Sequence, residues 1–263
     1  MYLNHLDFHK DYLKDKKITI CLLSGDPSRT EIIAQQYLKN AHKINNNRGL
    51  YCFTGDTSLG LPILAATSGM GAPSTSIVVN ELAQAGVNVF IRIGTTGSIQ
   101  PYIGVGSIIV NFASLCRQGA ANDIAPRDYP AAASALLSTD LYYEAKKIHS
   151  DVFFGLNASV DSFYEGQERY DSVNPKLMKS HVGMLQEYQN LNILNFEMES
   201  GTLFKMANVY GLHATSICAV AAARCKDEAL QHDSVQFSVD ACIKAAINTA
   251  ENIQKKQLQL FRS

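Results

Sequence analysis

Neither sign of charge is in excess: the 263 residues carry 23 Lys+Arg against 24 Asp+Glu, a formal net charge of −1. The broad basic stripe that holds a phosphate backbone is therefore missing, which argues against nucleic acid as a partner. Charge of any kind is sparse, 18% against the ~25% usual in globular chains, while hydrophobic residues reach 46%. That balance excludes a disordered or supercharged chain and supplies a full core. No apolar run approaches the ~18 residues of a membrane helix. The longest candidate, Ile217 to Ala223, has the length of a buried strand. The opening stretch MYLNHLDFHKDYLKDKK is charged throughout and has no apolar region of the kind a secretory signal needs.

Paired cysteine motifs are also missing. Cys21, Cys52, Cys116, Cys218, Cys225 and Cys242 lie far apart with no C-x-x-C. In a chain of this size they read as free thiols, mostly core filler, in a reducing cytosol, so the expected location is cytoplasmic. With no Pro/Gly/Ser linker, low-complexity tract or internal repeat, residues 1–263 are expected to form a single domain. That exceeds the typical ~100–150 residues but still suits one large α/β domain. A small-molecule enzyme or binding protein remains.

What is present is an alternation of short apolar runs with helical patterns. Strands are expected at Ile18 to Leu23, Leu61 to Ala66, Val87 to Ile93, Ser107 to Ala113, Phe154 to Val160, Asn192 to Phe196 and Leu212 to Val220. Helices are expected from about Arg29 to Lys39, Pro73 to Ala85, Glu199 to Val209 and Val235 to Leu258. The second of these has Pro at its start and Gly86 just past its end, and the third stops at Gly211. Such alternation implies a mostly parallel or mixed sheet flanked by helices, with ligands at the carboxyl ends of strands.

Three small-residue turns fall at those ends. Gly25-Asp26-Pro27-Ser28-Arg29 lets the backbone approach a ligand and opens a helix whose N-terminal N–H groups favour an anion. A cation at Arg29 is disfavoured there unless an anion binds at the same point; an ordinary surface arginine is the other reading. Arg92-Ile93-Gly94-Thr95-Thr96-Gly97 places an arginine in an apolar segment, where it needs a carboxylate in the core or an anionic ligand. SGMGAPSTS, leading into the helix at Pro73, is the third turn. No G-K-[ST] and no G-x-G-x-x-G occurs, so a small oxyanion such as phosphate is favoured over a nucleotide cradle.

Phe196-Glu197-Met198-Glu199-Ser200 sets two acids at a strand-to-helix junction. Acids so close in sequence would lie side by side and could not flank a glycosidic bond. One carboxylate could instead accept from two vicinal hydroxyls, as on a ribose, or the acids could simply favour a helix start. Phe163-Tyr164-Glu165-Gly166-Gln167-Glu168-Arg169 combines a flat apolar face, an amide with donor and acceptor, and a planar guanidinium. That set suits a heterocyclic base, or a solvated loop.

The strings GDPSR, FIRIGTTGSIQP, DSFYEGQERYD and NFEMES, in this order, resemble the nucleoside phosphorylases of the uridine phosphorylase and hexameric purine nucleoside phosphorylase superfamily, from about His5 to the terminal helix. Gln167 and Arg169, within FYxGQxR, resemble the uridine phosphorylase branch. The resemblance implies one α/β domain with a central, mixed, partly barrel-like sheet flanked by helices. It also implies reversible phosphorolysis of uridine, with thymidine or deoxyuridine as further candidates, to uracil and ribose 1-phosphate. Gly25, Arg29, Arg48, Arg92 and Thr95 would hold phosphate, Arg48 coming from a neighbouring subunit. His5 would reach a ribose 5′-hydroxyl across a dimer. Glu199 and Met198, with Glu197 beside them, would bind the ribose hydroxyls. Phe163 would stack on the base while Gln167 and Arg169 read its edge, and Arg224 on a mobile flap would assist the leaving base, making Arg224 and Glu199 the catalytic pair.

No cofactor and no catalytic metal is implied, phosphate being a co-substrate, and the partners are a nucleoside, phosphate and further copies of the chain. The assembly is at least a dimer with shared sites and is expected to be a hexamer. The sequence departs from the pattern in three places. Gly49 follows Arg48 where the family carries a glutamate linked to a structural potassium ion, which counts against that ion here. Ala221-Ala222-Ala223 stands where bulkier aliphatics are expected against the base, leaving room for a 5-substituent. Ser24 replaces a proline. A purine phosphorylase would want an acid on the flap, where this chain has Arg224 and, three residues later, Asp227.

Overall fold

Strand β1 (Ile20–Ser24) is buried at every position, so its alternation divides the core in two. Ile20 and Leu22 face one apolar cluster, and Cys21 and Leu23 the other. β4 (Pro62–Thr67) follows suit, with Ile63 and Ala65 on the first side and Leu64 and Ala66 on the second. The structure is a computed structural model describing residues 1–225 and 232–255. Expectations concerning Asp227 and Leu258 lie outside the described residues.

The remaining strands are β2 (Lys39–Lys43), β3 (Cys52–Asp56), β5 (Val89–Ser98), β6 (Ile108–Arg117), β7 (Val152–Val160), β8 (Ile193–Glu197) and β9 (His213–Ala223). The helices are α1 (Tyr12–Asp15), α2 (Pro27–Ile32), α3 (Ala72–Gln84), α4 (Gly119–Ile124), α5 (Ala135–Ile148), α6 (Met184–Asn190), α7 (Ser200–Tyr210) and α8 (His232–Gln254). The nine strands of the described residues form one mixed sheet in the order β2-β3-β4-β1-β5-β8-β7-β6-β9, and a further β5–β9 pairing closes its last five strands into a ring. This is the partly barrel-like α/β fold that the resemblance implied. Helices α5 and α8 pack on the face of Ile20 and Leu22, and α3 and α7 on the other. None of the described helices is long and apolar enough to cross a membrane. The described cysteines are all free, and Cys21, Cys52, Cys218 and Cys242 are buried.

β5 positions the site. Its first residues, Val89 to Arg92, lie between β1 and β9, whereas Gly97 and Ser98 pair with Phe196 and Asn195 of β8. The strand changes neighbour between those points, and a crevice opens where β1 has ended and β8 has not yet joined. RIGTTG therefore lies inside a strand, not in a turn after one. Its pairing with β9 continues through Ser98, with one register shift between Thr96 and Gly97.

Other boundaries moved for local reasons. Asp26 caps α2 by accepting from the Ser28 N–H at 2.9 Å, with Pro27 following, so the helix starts ahead of Arg29. It continues as a π-turn over Ile33–Tyr37 and gives way to β2 at Lys39. Ala221 to Ala223 complete β9, which runs past its expected end at Val220.

Candidate active site

A cavity of about 900 Å³ opens at the β5 crevice. It gathers Gly25, Arg29, Arg48, Arg92, Thr95, Phe163, Gln167, Arg169, Glu197, Met198 and Glu199, most of the residues singled out above. Five segments supply them: the β1–α2 turn, the β2–β3 connection, β5, the loop after β7, and the β8–α7 junction.

Arg92 lies at the centre, with a side chain only 4% exposed. Its Nη2 donates to Glu199 at 2.5 Å, and its Nε reaches Glu197 at 3.4 Å. Burial alone would lower its pKa, but the carboxylates of Glu199 and Glu197 outweigh burial and hold the guanidinium charged above its ordinary value. The core ion pair weighed from sequence is thus realised, and Arg92 still lines the cavity. Gly94 makes room for it, since a Cβ there would sit 2.9–3.0 Å from the guanidinium.

Partly buried Arg29 enters from α2 and donates through Nη1 to the Ile93 carbonyl at 3.3 Å. Burial lowers its pKa; Asp26 opposes this, and the nearby charge of Arg92 adds to it. Two guanidiniums lining one cavity are relieved by an anion between them. The hydroxyl of Thr95 has no hydrogen bond among the described residues, while Thr96 is committed to the Phe196 carbonyl and to Asn195. Arg48 and Gly49 form a left-handed turn, with φ of 54° and 72°, at the cavity edge. Arg48 lines the edge of the cavity of its own chain; the reach to a neighbour's phosphate that the resemblance implies involves a second copy of the chain. Gly49 brings no carboxylate there, so the ligand expected for a structural potassium ion is missing from this position.

The two acids at the β8–α7 junction divide the work. Glu197 accepts the N–H groups of Glu199 and Ser200 at 2.8 and 2.7 Å and the hydroxyl of Ser159, which caps α7. Glu199 accepts the Gly71 N–H at 2.6 Å and meets Arg92 with its other oxygen. Burial raises the Glu199 pKa, Arg92 opposes the rise, and Glu197 adds to it. Met198 is held by Gln118, whose amide donates to its carbonyl at 2.5 Å. Gln118 was not identified from sequence, and the Gly69 and Met70 turn, which also lines the cavity, was visible there only as the small-residue string SGMG.

In the loop after β7, Arg169 stacks on Phe163 with its guanidinium carbon 4.4 Å from the ring centre. Gln167 is buried at the cavity wall, and its amide makes no hydrogen bond to a described residue. Ala221 and Ala222 line the wall as well.

Two expected residues lie outside the lining. The ring of His5 is fixed to Glu81 of α3, Nδ1 to Oε1 at 2.7 Å, because Glu81 also binds the backbone N–H groups of His5 and Leu6. Arg224 follows directly on β9, its N–H bonded to the Ser98 carbonyl at 2.8 Å. Its guanidinium turns to the backbone carbonyls of Gln167 and Glu168, at 3.0 and 3.5 Å, and not into the cavity.

Known proteins bear on this arrangement. Residues 19–255 match the family described as the phosphorylase superfamily. A uridine phosphorylase of Haemophilus influenzae is 38% identical over 94% of this chain and 96% of its own. One of Escherichia coli is 36% identical over 95% and 97%. A DeoD-type purine nucleoside phosphorylase of Bacillus velezensis is 32% identical over 93% and 98%. With a family match across nearly its whole length and relatives of this similarity, the chain belongs to the phosphorylase superfamily.

Proposed function

We propose that this chain catalyses the reversible phosphorolysis of uridine to uracil and ribose 1-phosphate, a pentosyl transfer in pyrimidine salvage. The observation that carries the reading is the convergence of Arg29, Arg48 and Arg92 with Phe163, Gln167 and Arg169 in one cavity, with Glu199 among them. Three guanidiniums suit an oxyanion, and the Gln167–Arg169 pair suits a base edge carrying carbonyls and an N–H. The uridine phosphorylases among its relatives support the same substrate.

In this reading the arginines, Gly25 and Thr95 hold phosphate beneath C1′, and Glu199, with Met198 beside it, accepts the ribose hydroxyls. As the glycosidic bond stretches, the sugar gains positive and the base negative charge. Phosphate stabilises the first and then attacks. Gln167 and Arg169 are preorganised for the second, a contribution that is often the largest in catalysis. Holding both reactants together supplies the proximity contribution. The chemistry asks for no side-chain nucleophile, metal or cofactor. We place the enzyme in the cytoplasm as a homo-oligomer, a hexamer, in which His5 serves a neighbouring subunit's ribose; light scattering tests the assembly.

The deciding assay incubates the protein with uridine, thymidine, inosine and 5′-methylthioadenosine, with and without phosphate, and follows base release. Uracil released only with phosphate is expected. Inosine as the best substrate would overturn the reading in favour of a purine phosphorylase. Release without phosphate would indicate hydrolysis, and no turnover would indicate a nucleoside-binding protein.

A further inference from the structure

Arg224 has an address that its expected role on the leaving base does not explain. Its stem lies over Gly97, where a Cβ would come within 3.3 Å of the arginine Cγ and 3.6 Å of its Cδ. The last glycine of RIGTTG thus provides the seat for this side chain. From that seat Nη1 and Nη2 donate to two successive carbonyls, those of Gln167 and Glu168. Glu168 has a φ of 53°, a left-handed conformation that a non-glycine residue holds only when its surroundings enforce it. Its carboxylate is fixed from the other side by the N–H groups of Gly183 and Leu185, at 2.5 and 2.6 Å. The turn is therefore gripped at its backbone by Arg224 and at its side chain by the start of α6. Gln167, the residue just before the kink, lines the cavity.

We propose that Arg224 is a positioning residue for base recognition, acting through Gln167 and not by contact with the departing base. The proposal rests on the base-binding role given to Gln167 above. It makes the end of β9, the β5 bulge and the base loop one mechanical unit. Charge-assisted hydrogen bonds to carbonyls are strong enough for this purpose.

A double-mutant cycle tests it. Wild type, Arg224→Ala, Gln167→Ala and the double variant are compared in kcat and KM for the nucleoside and in KM for phosphate. Arg224→Ala is expected to raise the nucleoside KM about tenfold, the scale of a lost charge-assisted hydrogen bond, with the phosphate KM unchanged. In the Gln167→Ala background the same substitution should change the nucleoside KM by less than about twofold, because its target is already gone. An equal loss in both backgrounds would show that Arg224 acts on its own and overturn the proposal. A general fall that raises both KM values together would do the same by marking a merely structural role. Arg224→Lys keeps the stem on Gly97 and one donor, so it should restore part of the nucleoside KM, and it carries the cycle should the alanine variant not fold. The cycle is run on whichever of uridine, thymidine and inosine the wild type cleaves best. A wild type that ignores uridine thus sinks the uridine reading while Arg224 is still judged, and one that cleaves none overturns both.

Discussion

The guanidinium of Arg92 donates to the carboxylate of Glu199 at 2.5 Å, and neither side chain is more than 7% exposed. Breaking a pair this deeply buried leaves the Glu199 carboxylate without its cation, a charge that the Gly71 N–H compensates only in part. Arg92→Met is therefore expected to destabilise the chain by about 3–5 kcal/mol, seen as a lower denaturation midpoint. Adding Glu199→Gln should recover part of that loss, since no carboxylate then remains opposite the missing cation. Strict additivity of the two substitutions would show that the pair is not coupled.

The same environment fixes a pH dependence. Burial is the first cause of the raised Glu199 pKa, with Arg92 opposing and Glu197 adding. As an acceptor of ribose hydroxyls Glu199 must be ionised, so the acid limb of kcat/KM should lie above its ordinary value of 4.5. Glu197→Gln removes a neighbouring negative charge and should move that limb to lower pH; a shift upward would contradict the assignment. The stability contribution has the matching sign. A carboxyl whose pKa is raised on folding contributes stability that is fully present below the unfolded value and lost as pH rises through the folded one. Glu199→Gln should flatten that decline in denaturation measured against pH.

These two residues also show what the sequence made legible. An arginine inside an apolar segment and two acids at a strand-to-helix junction were visible as residue types, and both ended in one cavity. That Glu197 would cap α7 while Glu199 faced Arg92 and Gly71 depended on where the β8–α7 junction bends, which is set by distant strands. The alternation of β1 and the Pro-first, Gly-last bounds of α3 were readable because they are local. RIGTTG has the composition of a turn, yet it remains a strand because β8, nearly a hundred residues later, supplies its second neighbour. Arg224 could be located in sequence, but its direction is decided by the Gly97 seat and the Gln167 carbonyl.

Phe163 is 46% exposed and packs against Arg169 rather than the core, so it has little to do for stability. Phe163→Ala is expected to leave the melting temperature unchanged and to cost about 1–3 kcal/mol of base binding, the scale of one aromatic stack. The nucleoside KM should rise while phosphate affinity stays constant. Arg169→Ala should likewise lower kcat/KM for the nucleoside and spare phosphate. Equal losses for both substrates would remove these residues from the base site.

The wall built by Ala221 and Ala222 makes a prediction about substrate choice. Both residues lie at the end of β9, where a β-branched side chain suits the backbone, so Ala221→Val should fold normally. The added methyls fill space beside the base and bury apolar surface worth about 0.8 kcal/mol per carbon. Uracil should gain from this contact, giving a lower KM for uridine. Thymine already carries a methyl, which would compete for the same volume, and overpacking a close-fitted wall is itself destabilising by about 1–3 kcal/mol. The ratio of kcat/KM for uridine to that for thymidine should therefore rise several-fold in Ala221→Val. Parallel changes for the two nucleosides would place the 5-position elsewhere. A ratio that moves only when the wall is filled would make small side chains at the end of β9 the source of tolerance at that position.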